Sequence, residues 1–144
     1  MNSHVASFVA AVQARGVTVR APQTLDVSPE VDPTRFEAGA VLHAGTRLSG
    51  ARTMVRANAI IGGEGPAVLH NAIVGRNAQV RSGYVEGAVL FDGADVGAGA
   101  HIRSGTILEE GARTAHTVGL KQTILFPFVT LGSLINFCDC LMAG

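Results

Sequence analysis

A large aliphatic residue returns every six positions at Leu90, Val96, Ile102 and Leu108. The same stretch, "LFDGADVGAGAHIRSGTILEEGAR", carries glycine at 93, 99, 105 and 111, with Ala94, Ala100, Thr106 and Ala112 one place later. A helix would bring its apolar residues back at three and four, and a flat strand at two. A six-residue return with a glycine at fixed offset instead describes short straight segments joined by corners. Three such segments close one triangular coil: the large aliphatic points into the shaft, the glycine relaxes the corner, and the small residue lets the wall close. Neighbouring coils pair as parallel strands rising ~4.8 Å per coil. A single coil has no closed core and becomes stable only when stacked.

Composition fits a narrow interior. Hydrophobic residues make up 47% of the chain but aromatics only 5%, with no tryptophan and 18 glycines among 144 residues. A core of ordinary width would use more rings. The formal net charge is zero, so the chain lacks the basic footprint of a nucleic-acid binder. Cys138 and Cys140 form a C-x-C pair, neither a disulfide framework nor a common zinc signature, and are read as reduced residues of a cytoplasmic protein. The N-terminus has no basic region ahead of its apolar residues, which argues against a secretory signal. The uncharged run "QTILFPFVTLGSLINF" is too short to span a bilayer and is broken by Pro127, Gly132 and Asn136, so it reads as buried and no membrane partner is expected.

Residues 1–35 read as an N-terminal helix and an extended entry segment. Val5, Phe8, Val9 and Val12 share a helical face, Ser3 is placed as N-cap and Gly16 as the stop; Pro22, Pro29 and Pro33 then forbid further helix. Residues 36–144 carry the repeat. Phe36, Leu42, Leu48, Met54 and Ile60 start the register, Val68, Val74 and Val80 continue it, Leu90 to Leu108 hold it, and Leu125, Leu131 and Phe137 resume it. The breaks at "IGGEGPA", "GYVEGAV" and "TAHTVGLKQTI" are read as loops leaving the shaft, where binding groups usually sit. About five coils are expected. The ending "CDCLMAG" lies in mid-register without a polar cap, which is read as truncation of the solenoid.

This pattern resembles the hexapeptide-repeat family, whose members fold as left-handed parallel β-helices and usually trimerise. The resemblance implies an all-β, left-handed parallel β-helix with a short N-terminal α-helix, assembled as a homotrimer. Within that family, "AHTVG…VTLGSLINFCD" (residues 115–139) is similar to the bacterial bifunctional acetyltransferase–uridyltransferases that act on glucosamine 1-phosphate. The block "HTVGLKQTILFPFVTLGSLINFCDCLMAG" resembles proteins labelled UDP-N-acetylglucosamine pyrophosphorylases. The resemblance implies a sugar phosphate or nucleotide sugar as ligand and acetyl-CoA as acyl donor. His116 is then the candidate general base that deprotonates the acceptor for attack on the thioester. Lys121, Arg113 and Arg103 are phosphate-pairing candidates by charge, and Asn136 is a further substrate-binding candidate.

The segment departs from the family where its His-to-Gly spacing is shorter and the tyrosine common nearby is missing, so a purely structural His116 stays open. No L-x-x-G-x-G-T-R loop of a nucleotidyltransferase occurs, and "IIGGEGPAV" opens no helix; uridylyl transfer is therefore not assigned to these residues. His70, His101 and His116 lack the spacing of a three-histidine zinc site, and no bound metal is expected. The alternative function is a non-catalytic solenoid that trimerises or scaffolds a nucleotidyltransferase.

Overall fold

The computed structural model describes all 144 residues as a parallel β-solenoid of about seven turns preceded by one helix. Its strands fall into two seven-stranded sheets and one six-stranded sheet, here called faces A, B and C, and all the pairings between strands are parallel. Each face contributes one interior stack. Leu42, Ile61, Val80, Val96, Thr114 and Leu131 lie in register on face A. Leu48, Leu69, Val85, Ile102, Leu120 and Phe137 do so on face B. On face C the stack is Val55, Val74, Leu90, Leu108, Leu125 and Met142. Nearly all of these are fully buried, and together they make one continuous core. Burying each aliphatic side chain is worth ~1.5–3 kcal/mol, which is how single-side strands of two to four residues remain ordered.

Helix α1 (Ser3–Ala14) buries Val5, Phe8, Val9 and Val12 as expected, and Gly16 follows it with φ 94°. The N-cap is Asn2, not Ser3: the Asn2 Oδ1 accepts the Val5 N–H at 2.8 Å. The helix closes the first turns of the shaft, with the Phe8 ring edge-on to Phe36 at 5.2 Å between centroids. The entry segment joins the shaft directly. Thr18–Val19 pairs with Val41–Leu42, and Asp26–Val27 with Arg47–Leu48. Those extra rungs account for much of the difference between about five expected coils and the seven observed.

Two further expectations are corrected. The interior positions in the second part of the register are Val55, Ile61 and Leu69, whereas Met54, Ile60 and Val68 face outward and are half-buried. The three irregular stretches are not loops off the shaft. Gly83–Glu86 and Gly119–Lys121 are ordinary strands of face B, and the segment around Gly62–Gly65 stays hydrogen-bonded to the next turn through Gly62 and Glu64. The register is hidden there because some sides are five residues long, as from Val80 to Val85 to Leu90, and the one from Ile61 to Leu69 is eight. No helix of the chain is long and apolar enough to cross a membrane.

Candidate functional site

The three faces present different chemistry outward. Face C shows an aliphatic column, Met54, Ile73, Val89, Ile107, Ile124 and Leu141, running the length of the sheet. Faces A and B carry the polar groups and meet at the corner that holds His116 and Thr117, so the sequence-predicted residues divide between two grooves.

The face A groove, about 410 Å³, is lined by Glu64, Arg81, Asp95, Arg113, His116 and Thr130 over a floor of Gly97, Ala98 and Ala115. That floor is flat because a Cβ on Gly97 would collide with the carbonyl oxygen of Ala115 in the next turn. Arg81 grips Asp95 through two hydrogen bonds of 3.0 and 2.9 Å and Glu64 through one of 2.7 Å. These bonds, to Asp95 foremost, hold the Arg81 guanidinium still more firmly protonated than usual. Arg113 shares Asp95 at 3.5 Å. Two cations thus face two carboxylates, and the groove has no net charge to offer an anion. His116 is exposed, with Nδ1 3.2 Å from the Thr117 hydroxyl. Its orientation rests on Thr117, because Asp95 is already engaged by the arginines.

The face B groove, about 380 Å³, is lined by His101, Arg103, Thr117, Gly119, Leu134, Ile135 and Asn136. Strand register stacks His101 beside Gly119 and Gly119 beside Asn136, so the glycine leaves a gap between an imidazole and an amide. A Cβ there would lie 2.9 Å from the Asn136 Oδ1. One column over, the same register sets Arg103 beside Lys121 and Lys121 beside Cys138. Neither cation meets a carboxylate within ion-pair distance, unlike Arg47, Arg56, Arg81 and Arg113. Arg103 Nε is buried without a hydrogen-bond partner, and its Nη2 reaches only the Cys138 Sγ at 3.9 Å. Glu86 lies one turn below, but its carboxylate accepts the Tyr84 hydroxyl at 2.6 Å, a bond that raises the Tyr84 pKa. Tyr84 in turn stands edge-on to His101 at 5.7 Å.

Arg103 and Asn136 thus line one groove and Lys121 neighbours Arg103 by strand register without lining it, while Arg113 lies across the corner beside His116. The sequence reading missed His101 and Thr117. A signal was present: Arg103 and Lys121 are separated by one whole coil of three six-residue sides, which puts them side by side, and His101 shares the outward side of the Arg103 strand. No cluster of three or more His, Cys, Asp or Glu side chains stands ready to hold a metal ion.

The stacked parallel turns, the interior stacks and the polar grooves on the outer walls define a β-solenoid of the hexapeptide-repeat class. No family model matches the chain. Curated relatives do: the bifunctional protein GlmU of Nitratidesulfovibrio vulgaris is 31% identical over 131 residues, covering 86% of this chain and 26% of the relative. The bifunctional protein GlmU of Pseudomonas putida is 30% identical over 129 residues, 89% of this chain and 27% of the relative. That of Shouchella clausii is 30% identical over 108 residues, 75% and 22%. The chain is thus a GlmU-like β-helix domain, and it spans about a quarter of the length of the curated relatives it matches.

Proposed function

We propose that the chain binds an amino sugar phosphate in the face B groove and supports its acylation from acetyl-CoA, with His116 as general base. The observation that carries this reading is the Arg103–Lys121 pair: two adjacent cations without carboxylate partners, one with a buried Nε that bonds to nothing. A phosphate satisfies both, since guanidinium and ammonium bond strongly to its oxygens. His101 and Asn136 then flank the sugar over Gly119. Thr117 lines this groove and also holds His116. When Nδ1–H donates to the Thr117 hydroxyl, Nε2 is bare and takes the proton from the acceptor amine as its nitrogen attacks the thioester carbonyl. The C–N bond forms, the C–S bond breaks, and His116 returns the proton to the departing thiolate.

The face C column supports assembly into a homotrimer, because an aliphatic stripe of this length is unusual on a free surface. A domain of this kind works in the cytoplasm, where sugar nucleotides and acetyl-CoA are made.

The test is thiol release from acetyl-CoA with glucosamine 1-phosphate as acceptor. His116→Ala is expected to lower the rate by about 100-fold or more at an unchanged melting temperature, because the side chain is exposed. An unchanged rate would remove His116 from the reaction. A wild-type chain that binds the sugar phosphate without turnover would favour the scaffold.

A further inference from the structure

A second cavity, about 350 Å³, opens on face B nearer the N-terminal helix and shares no residue with the groove around Gly119. It is lined by Asp26, Ser28, Arg47, Ser49, Val68 and Tyr84. Strand register sets Asp26 beside Arg47, Arg47 beside Val68 and Val68 beside Tyr84, so the valine is a low apolar floor between a guanidinium and a phenol ring. Two residues further along the same strands, Ser49 stands beside His70.

Ser49 Oγ lies 2.8 Å from His70 Nδ1, the spacing of a nucleophile and its base, but the proton runs the other way. Asn71 Oδ1 accepts the Arg52 N–H at 3.1 Å, so it is the Asn71 Nδ2 that meets His70 Nε2, at 3.4 Å. An amide nitrogen only donates; Nε2 of the neutral imidazole is therefore the bare nitrogen and Nδ1 carries the proton. Nδ1–H donates to Ser49 Oγ, and the Ser49 hydroxyl keeps its own proton for an acceptor in the cavity. Arg47 meets Asp26 through Oδ2 alone, at 3.3 Å, which leaves Asp26 Oδ1 and further guanidinium N–H groups free. The Tyr84 hydroxyl is spent on Glu86, so Tyr84 offers the cavity its ring.

Donors at Arg47 and Ser49 and an acceptor at Asp26 thus surround an apolar floor, and the guanidinium is balanced by a carboxylate, which disfavours an anion. Arg47 and Tyr84 stand two strand spacings apart, roughly 10 Å. A planar ring touching both would need only about 7–8 Å; a puckered ring with hydroxyls on its edge takes up the rest. We propose that this cavity binds a neutral pyranose. The ring lies on Val68 against Tyr84, one hydroxyl donates to Asp26 Oδ1, its neighbour accepts from Arg47, and a third oxygen accepts the Ser49 O–H. The site is independent of the sugar-phosphate reading above, which needs the unpaired cations of the other groove.

The test is a series of ¹H–¹⁵N spectra titrated with methyl β-D-glucopyranoside and methyl β-D-galactopyranoside, with glycerol as the control. At least one glycoside is expected to give saturable shifts at residues 26–28, 47–49, 68 and 84, with a millimolar dissociation constant set by a few exposed hydrogen bonds and one ring contact. Val68→Trp fills the floor from outside the core and should abolish these shifts, while shifts at residues 101–103 and 119–121 on adding glucosamine 1-phosphate persist. Ser49→Ala, nearly isosteric, should weaken the glycoside about 5-fold, the scale of one hydrogen bond. The proposal is overturned if neither glycoside gives saturable shifts, if glycerol reproduces them, if the shifts fall on residues 101–103 and 119–121 instead, or if both variants bind as wild type does.

Discussion

At the scale of single residues, the shaft depends on groups whose partners lie one turn away in space and about eighteen positions away in sequence. Glu30 is an example. It follows the face B strand Asp26–Val27, and its carboxylate accepts the Gly50 N–H at 2.7 Å, tying the entry segment to a corner of the next turn. That bond, helped by smaller contributions from His70 and His4, holds the Glu30 carboxyl below its usual pKa. A carboxyl depressed on folding stabilises above its unfolded pKa, and the contribution disappears as pH falls through the folded value. Glu30→Ala is therefore expected to melt below wild type at pH 7. The gap should narrow once pH drops below ~4, where the free carboxyl protonates. Melting curves across that range check it; a gap that stays constant with pH would assign the loss to packing instead. Residue-level roles of this kind were not legible in the sequence, since nothing in "SPEVDP" announces a bond to Gly50.

At the scale of elements, the sequence was clearest where all sides are six long. Leu90, Val96, Ile102 and Leu108 point inward as their spacing requires. It misled at Met54, Ile60 and Val68 for a physical reason: each has an aliphatic neighbour, Val55, Ile61 or Leu69, on the opposite side of the wall, and periodicity alone cannot choose between them. That doubling is itself informative, because an outward aliphatic has no use in a wall that faces water on every rung. On face C the outward residues continue through Ile73, Val89, Ile107 and Ile124, the stripe to which we attribute the homotrimer. Placing a charge in its centre with Ile107→Lys should give a monomer in sedimentation velocity, where wild type is expected to run at three chain masses, and leave the strand signal intact because the side chain points away from the core. A monomeric wild type would contradict the assembly.

At the scale of the whole molecule, three walls of one shaft divide the work. One is apolar, one balances its charges internally, and one keeps two cations unanswered. The sequence made the shaft legible through its period, and it marked Arg103, Lys121 and Asn136 by charge and resemblance. It could not show that Arg113 and His116 stand on the other side of a corner from them. That depends on where each corner falls: Arg113 ends the face C–A side beside inward Thr114, and His116 lies at the next corner before face B resumes at Leu120. The central claim is that the sugar phosphate docks on face B between Arg103 and Asn136. Hydrogen–deuterium exchange with and without glucosamine 1-phosphate tests it directly, because a bound ligand slows exchange in the strands it covers. The account predicts added protection at residues 101–103, 119–121 and 134–136, lost in Arg103→Ala. Protection confined to residues 95–98 and 113–115, on face A, would contradict it.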